Sequence, residues 1–189
     1  MDMPLLVVTF DPDEKARAAV AAELDGKAEA VYLAGLDHAG RRETLANATV
    51  LLARNTGTEL RPGEPELIRR AQLVQFMSAG VDLIPLRELP AGVPVAGNGG
   101  AYAEPMAEHA LAMMLAAAKR LLPEHAALAR GEFNQFKRNR MLAGGVCGIL
   151  GFGGIGIATA RLVRCLGMRV HAIRRKPMSY RFADFLTRT

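Results

Sequence analysis

Gly151-Phe152-Gly153-Gly154-Ile155-Gly156 fits the pattern G-x-G-x-x-G. Glycine-rich hexamers arise by chance, so the pattern gains weight only from its setting. The apolar run Val146–Leu150 precedes it, and Ile155, Ala158, Leu162, Val163 and Leu166 follow at helical spacing. Gly167 stands where a glycine ends a helix, and residues 168–173 read as a second strand. A strand, a tight turn, a helix and a strand in that order would aim bare backbone amides at a diphosphate. Gly151 would let the chain turn sharply, Gly153 would let backbone approach the pyrophosphate, and Gly156 would let the helix lie close on the strand. The helix N-terminus adds unpaired N–H groups and the positive end of a dipole. The spacing predicts a dinucleotide-binding turn; the alternative is a glycine-rich turn of purely structural use.

The end of the second strand chooses the cofactor. An acid about 20 residues past the turn would bind the ribose hydroxyls of NAD. This sequence carries Arg174-Arg175-Lys176 instead. A carboxylate there would repel a 2′-phosphate, whereas guanidinium groups bind one through paired hydrogen bonds. NADP(H) is therefore expected over NAD(H), unless these are ordinary solvated charges after a strand.

The elements that would position these residues begin with alternating strand and helix signals. Residues 5–10 read as a strand. Asp11 and Asp13 offer N-caps for a helix through Ala16, Val20, Ala21 and Leu24, which Gly26 ends. Residues 28–33, 48–53, 73–76 and 93–96 read as further strands, with a helix over 64–71. Such alternation argues for a parallel sheet covered by helices. Asn98-Gly99-Gly100 then breaks the pattern. A long helix is expected over 104–122, with Pro105 in its first turn and Pro123 ending it. Ala107, Leu111, Met114 and Ala118 lie on one face, which Ala110, Met113 and Ala117 would widen into a broad buried one. Residues 124–142 are polar, with a basic cluster at Lys137, Arg138 and Arg140. They read as a solvated helix and loop, or as an arm that contacts a second copy.

Composition bounds the rest. Of 189 residues half are hydrophobic and 23% charged, which excludes a disordered chain. The net charge of +5 is local: residues 157–189 hold eight basic side chains against one acid, Asp184. No aromatic interleaving accompanies that cluster, so a phosphate site is favoured over nucleic acid. The apolar stretches are too short to span a bilayer, and the start lacks a basic segment typical of a secretory signal, so a cytoplasmic protein is expected. Cys147 and Cys165 lack metal-ligand spacing and are expected to be buried free thiols.

Three segments in order carry a more specific resemblance. GILGFGGIGIATARLVRCLGMRVHAIRR (residues 148–175) resembles the glycine-rich segment of the D-isomer-specific 2-hydroxyacid dehydrogenases, a family that includes hydroxypyruvate/glyoxylate and phosphoglycerate enzymes. QFMSAGVDLIP (residues 75–85) resembles that family's Gly-Val-Asp loop, and residues 93–115, with Ala107-Glu108-His109, resemble its interdomain stretch. The resemblance implies a flavodoxin-like substrate domain in residues 1–100, then an interdomain helix and the start of a Rossmann NAD(P)-binding domain in residues 101–189. It implies that backbone amides at Ala79 and Gly80 hold the substrate carboxylate and that Asn98 and Gly99 lie at the domain crevice. Gly151, Phe152, Gly153, Gly154, Ile155 and Gly156 would form the pyrophosphate turn, with Arg174, Arg175 and Lys176 at the adenosine end. Gly154 departs from the family, which often carries a larger, frequently basic residue there.

The reaction so implied is hydride transfer between nicotinamide and a 2-hydroxy or 2-oxo acid, by a homodimer when full length. The family's catalytic Arg, Glu and His are not found in this sequence, so no catalytic residue is assigned and the chain is expected to be a fragment with an exposed sheet edge. His109 lies inside a helix and is expected to be structural or interdomain; His38, His125 and His171 show no partner. The other reading is a non-catalytic dinucleotide-sensing module of the same fold.

Overall fold

The computed structural model describes residues 3–175. The chain divides into two compact units, Met1–Gly99 and Gly100–Thr189.

The first unit is a five-stranded parallel sheet with alternating helices. Its elements are β1 (Leu5–Val8), α1 (Glu14–Leu24), β2 (Glu29–Tyr32), α2 (His38–Ala46), β3 (Val50–Ala53), α3 (Thr56–Glu59), a 3-10 segment at Pro65–Arg70, β4 (Leu73–Phe76) and β5 (Val95–Ala96). The strand order is β2-β1-β3-β4-β5, the order of flavodoxin-like sheets. Leu6 pairs with Ala30 on one side and Val50 on the other, and Val74 pairs with Leu51 and Val95. The core is aliphatic: Val7, Leu33, Leu45, Leu51, Ile68, Val74 and Phe76 are fully or almost fully buried.

Local chemistry sets the element ends. Asp13 caps α1 by accepting the Ala16 N–H at 2.7 Å, whereas Asp11 pairs with Arg17 at 2.8 Å. The helix expected over 64–71 is a 3-10 segment instead. Pro65 opens it and Ile68 leaves helical geometry at φ −84°, ψ 17°. Glu64 lies before that segment and is 1% exposed. Its Oε1 accepts Arg41 Nε at 2.8 Å, and its Oε2 accepts Arg41 Nη2 at 2.6 Å and the Arg61 N–H at 2.9 Å. Arg41 Nη2 also donates to the Glu59 carbonyl at 3.0 Å. The buried pair thus joins α2, α3 and the loop before Pro65. Its hydrogen bond to Glu64 holds the Arg41 guanidinium above its ordinary pKa. Burial alone would raise the Glu64 carboxyl. The Arg41 hydrogen bond, the Arg61 amide and both positive charges outweigh that and hold it below the ordinary range.

The second unit contains α4 (Ala103–Ala118), α5 (Leu121–Ala129), β6 (Val146–Leu150), α6 (Gly154–Cys165) and β7 (Arg169–Ile173). β6 and β7 pair in parallel, Val146 with Arg169 through Leu150 with Ile173. This is the β-α-β beginning of a Rossmann fold. Cys147, Val163 and Met168 form its buried centre, with Leu111, Met114, Ile149 and Val170 packed on it.

Three expectations change here. The long helix stops at Ala118 because Arg120 turns left-handed at φ 56°. Pro123 therefore ends nothing; it sits in the first turn of α5, where its missing N–H costs no helical bond. The buried face of α4 is narrower than expected: Ala107 is buried, but Met113 and Ala117 face outward. Cys147 is buried, and burial pushes its thiol up; Cys165, at the last turn of α6, is exposed.

Candidate functional site

A groove of about 580 Å³ opens in the second unit, within the size range of small-molecule sites. It is lined by Gly151, Phe152, Gly153, Gly154, Ile155, Gly156, Arg174 and Arg175. All of these come from the turn after β6, the first turn of α6 or the residues directly after β7. Lys176 lies outside the described residues.

The three motif glycines differ in why they are glycine. Gly151 has φ 101°, a conformation side chains rarely adopt, which lets the chain double back out of β6. At Gly156 an added Cβ would lie 2.4 Å from the Gly151 carbonyl oxygen and 3.1 Å from Ile149, so the helix can approach β6 only there without a side chain. Gly153 has extended backbone at φ −97°, and an added Cβ would meet nothing within 4 Å. Neither conformation nor packing requires glycine at 153. The space it leaves belongs to the groove.

Polar groups face that space. Gly153 is the N-cap of α6 and supplies no capping side chain. The first helical bond runs from the Ile157 N–H to the Gly153 carbonyl at 2.9 Å, so the amides of Gly154, Ile155 and Gly156 have no helical acceptor. Amides so placed, with the helix dipole, can hold an anion at the strand-to-helix turn. Phe152 contributes differently: its side chain is buried and its N–H donates to the Ile173 carbonyl at 3.2 Å, beside that of Gly151 at 2.9 Å. Ile155, expected in the pyrophosphate turn, is 46% exposed and lines the groove. Gly154 faces α4, where an added Cβ would touch Ala103 at 3.5 Å. A larger residue in that place would press on the start of α4. Arg174 and Arg175 are exposed on the same groove.

The residues expected to hold a carboxylate gather at the carboxyl ends of β4 and β5 in the first unit. The Asn98 N–H donates to the Ser78 carbonyl at 2.8 Å, and Asn98 Nδ2 donates to the Met77 carbonyl at 3.2 Å. Asn98 thus braces the loop that carries Ala79 and Gly80. Ser78 Oγ bends that loop by donating to the Gly80 carbonyl at 2.8 Å. Among the described residues the Ala79 and Gly80 amides donate to no protein acceptor. Gly99 is exposed. Gly97 went unassigned in the sequence: a Cβ there would lie 3.2 Å from the Ala79 carbonyl and 3.3 Å from that of Ser78. Its absence lets the two loops close together. A glycine directly after a short strand was the available signal.

Among the described residues no histidine shares a hydrogen bond with a carboxylate, and no cluster of His, Cys, Asp or Glu could hold a metal ion. His109 is exposed on α4. No helix of the described residues is long and apolar enough to cross a membrane.

Comparison with known proteins agrees with this geometry. Residues 111–187 match the family described as D-isomer specific 2-hydroxyacid dehydrogenase, NAD binding domain. Among solved structures, a glycerate dehydrogenase related protein from Thermoplasma acidophilum is 30% identical. It aligns over 93% of this chain and 56% of its own with a TM-score of 0.68. A D-lactate dehydrogenase from Treponema pallidum is 19% identical over 97% of this chain and 56% of its own, TM-score 0.74. A 2-hydroxyacid dehydrogenase from Ketogulonicigenium vulgare is 20% identical over 95% and 57%, TM-score 0.70. At those last two identities the likeness is one of fold. The chain spans just over half the length of each. No curated protein matches it in sequence. The chain thus resembles the D-isomer specific 2-hydroxyacid dehydrogenases in its nucleotide-binding segment and in fold.

Proposed function

We propose that the protein acts as an NAD(P)-dependent oxidoreductase on a 2-hydroxy or 2-oxo acid, with NADP(H) favoured over NAD(H). The observation that carries this reading is Gly153. A glycine that neither backbone nor packing requires, beside three amides without acceptors, leaves room for a diphosphate and for nothing in the protein itself.

When bound, the nicotinamide supplies the hydride. The chain's own part is to bind and orient. The amides of Gly154, Ile155 and Gly156 hold the diphosphate. Arg174 and Arg175 hold a 2′-phosphate on the adenosine ribose, because guanidinium groups match phosphate geometry and a carboxylate there would repel it. In the first unit the Ala79 and Gly80 amides hold the carboxylate of the acid, as paired amides in a tight loop hold anions elsewhere.

Cofactor choice tests the arginines. We expect NADPH to bind more tightly than NADH in fluorescence titrations of the protein, and R174A/R175A to abolish that preference, about tenfold or more, while NADH affinity changes little. An NADH preference in the unsubstituted protein, or equal losses for both cofactors, would overturn the role given to Arg174 and Arg175. Failure of both cofactors to bind would overturn the dinucleotide reading itself.

A further inference from the structure

A second hollow, of about 430 Å³, lies wholly within the first unit. It opens between α3, the loop that follows it, the start of the 3-10 segment at Pro65–Arg70, and Glu88. None of its lining residues belongs to the Ala79–Gly80 loop or to the glycine-turn groove. Its size falls in the range of small-molecule sites.

The walls are set by contacts inside the fold. Gly57 packs on Pro85, where an added Cβ would lie 2.8 Å from the proline ring. The loop after α3 is tied back on Glu64, whose Oε2 accepts the Arg61 N–H at 2.9 Å while buried Arg41 holds the same carboxylate. Leu60 is buried, and with Pro62 and Pro65 it gives the hollow an apolar side.

Polar groups on the hollow are left unspent. Thr56 is 3% exposed, and its Oγ1 has no hydrogen-bond partner among the described residues. A buried hydroxyl left unpaired destabilises a fold, so it calls for a partner, and the hollow that Thr56 lines is where one can reach it. Arg61 and Glu88 are exposed on the same hollow, and among the described residues neither forms an ion pair. Glu66, also on the wall, is already paired with Arg69. One unpaired cation and one unpaired anion beside an apolar surface suit a ligand that carries both signs.

We propose that this hollow binds a small zwitterion, an α-amino acid with an apolar side chain. Arg61 holds its carboxylate, Glu88 takes its ammonium group, the Thr56 hydroxyl adds a hydrogen bond, and the side chain lies on Leu60, Pro62 and Pro65. The site is independent of the cofactor and substrate readings above.

Titration calorimetry of the protein at low salt with L-valine, 3-methylbutanoate and 2-methylpropylamine tests it, since each of the last two lacks one of valine's charges. Valine binds, and each analogue binds about tenfold more weakly or not at all, because each loses a hydrogen bond to a charged group. R61Q and E88Q each weaken valine about tenfold for the same reason. T56V also weakens valine, yet it does not lower the thermal midpoint, because it removes a hydroxyl that had no partner. Thermal melts confirm that R61Q and E88Q are folded. The inference is wrong if valine does not bind, if either analogue matches it, or if any of the three variants leaves its affinity unchanged. None of these outcomes bears on the dinucleotide reading.

Discussion

Arg41 and Glu64 in the first unit are buried and bonded to each other and to backbone. In the second unit the first-turn amides of α6 and the side chains of Arg174 and Arg175 face an open groove. Both regions concentrate polar groups, yet among the described residues those of the second have no protein partners. The contrast teaches how to separate structural charge from functional charge. A polar group whose hydrogen-bonding capacity is consumed inside the fold fixes shape, and one left unconsumed on a groove marks a place for a ligand.

The comparison breaks most sharply at the buried pair. R41M strands the Glu64 carboxylate and should destabilise the first unit by about 3–5 kcal/mol, read as a lowered urea midpoint in circular dichroism. R41M/E64L removes both charges and should recover most of that loss. Failure of the double variant to recover stability would mean that the pair's packing, not its charge balance, matters. The pair also sets an acid limit. The folded Glu64 carboxyl titrates below its unfolded value of about 4.3. Its contribution is therefore complete above that pH and fades as pH falls towards the folded value. R41M/E64L should show a shallower loss of stability over that acid range than the unsubstituted protein.

The next effect divides two glycines of one motif. G156A forces a Cβ to within 2.4 Å of the Gly151 carbonyl and should cost about 1–3 kcal/mol. G153A meets only open space and should change stability by less than about 0.5 kcal/mol. Yet G153A should weaken NADPH binding about tenfold or more, because its methyl enters the groove. Equal effects of the two variants on stability and on binding would erase the distinction between a packing glycine and a ligand glycine.

The smallest effect is local to the first unit. D13A removes the side chain that accepts the Ala16 N–H, and should cost about 1 kcal/mol through loss of a helix cap. D11A should cost less, since Asp11 only pairs with Arg17 near the surface. Both are read from urea midpoints.

Much of this architecture was legible from period and punctuation. β4 and β6 fall on the residues their apolar runs mark, and Gly167 ends α6 with φ 77° as its position implied. α2 was invisible for a physical reason. Its inward positions are Arg41 and Leu45, so a buried arginine interrupts the apolar stripe that would announce an amphipathic helix. The 3-10 segment at Pro65–Arg70 shares composition with a short α-helix, and only the geometry at Ile68 separates them. The break at Arg120 carries no sequence signature, because arginine rarely turns left-handed and Pro123 nearby offered a more obvious cause.

The candidate site divides in the same way. The glycine turn and Arg174-Arg175 were readable because their spacing is local, within one β-α-β stretch. The stacking of Arg54 on Phe10 was not, because it depends on β1 and β3 lying side by side, which 43 intervening positions conceal. The bond from the Thr9 hydroxyl to the Glu59 carboxylate spans 50 positions and is hidden for the same reason.

The two amides that converge on the Ile173 carbonyl have a further consequence. They clamp the start of the glycine turn to the last residue of β7, so the proposed seats for a diphosphate and an adenosine ribose would be mounted on one caliper whose opening the backbone presets. On the function proposed above, a cofactor would meet a fixed gauge and would not have to adjust it. Replacing the side chains that follow Ile173 should therefore reprogram cofactor choice while the grip on the diphosphate stays as it was.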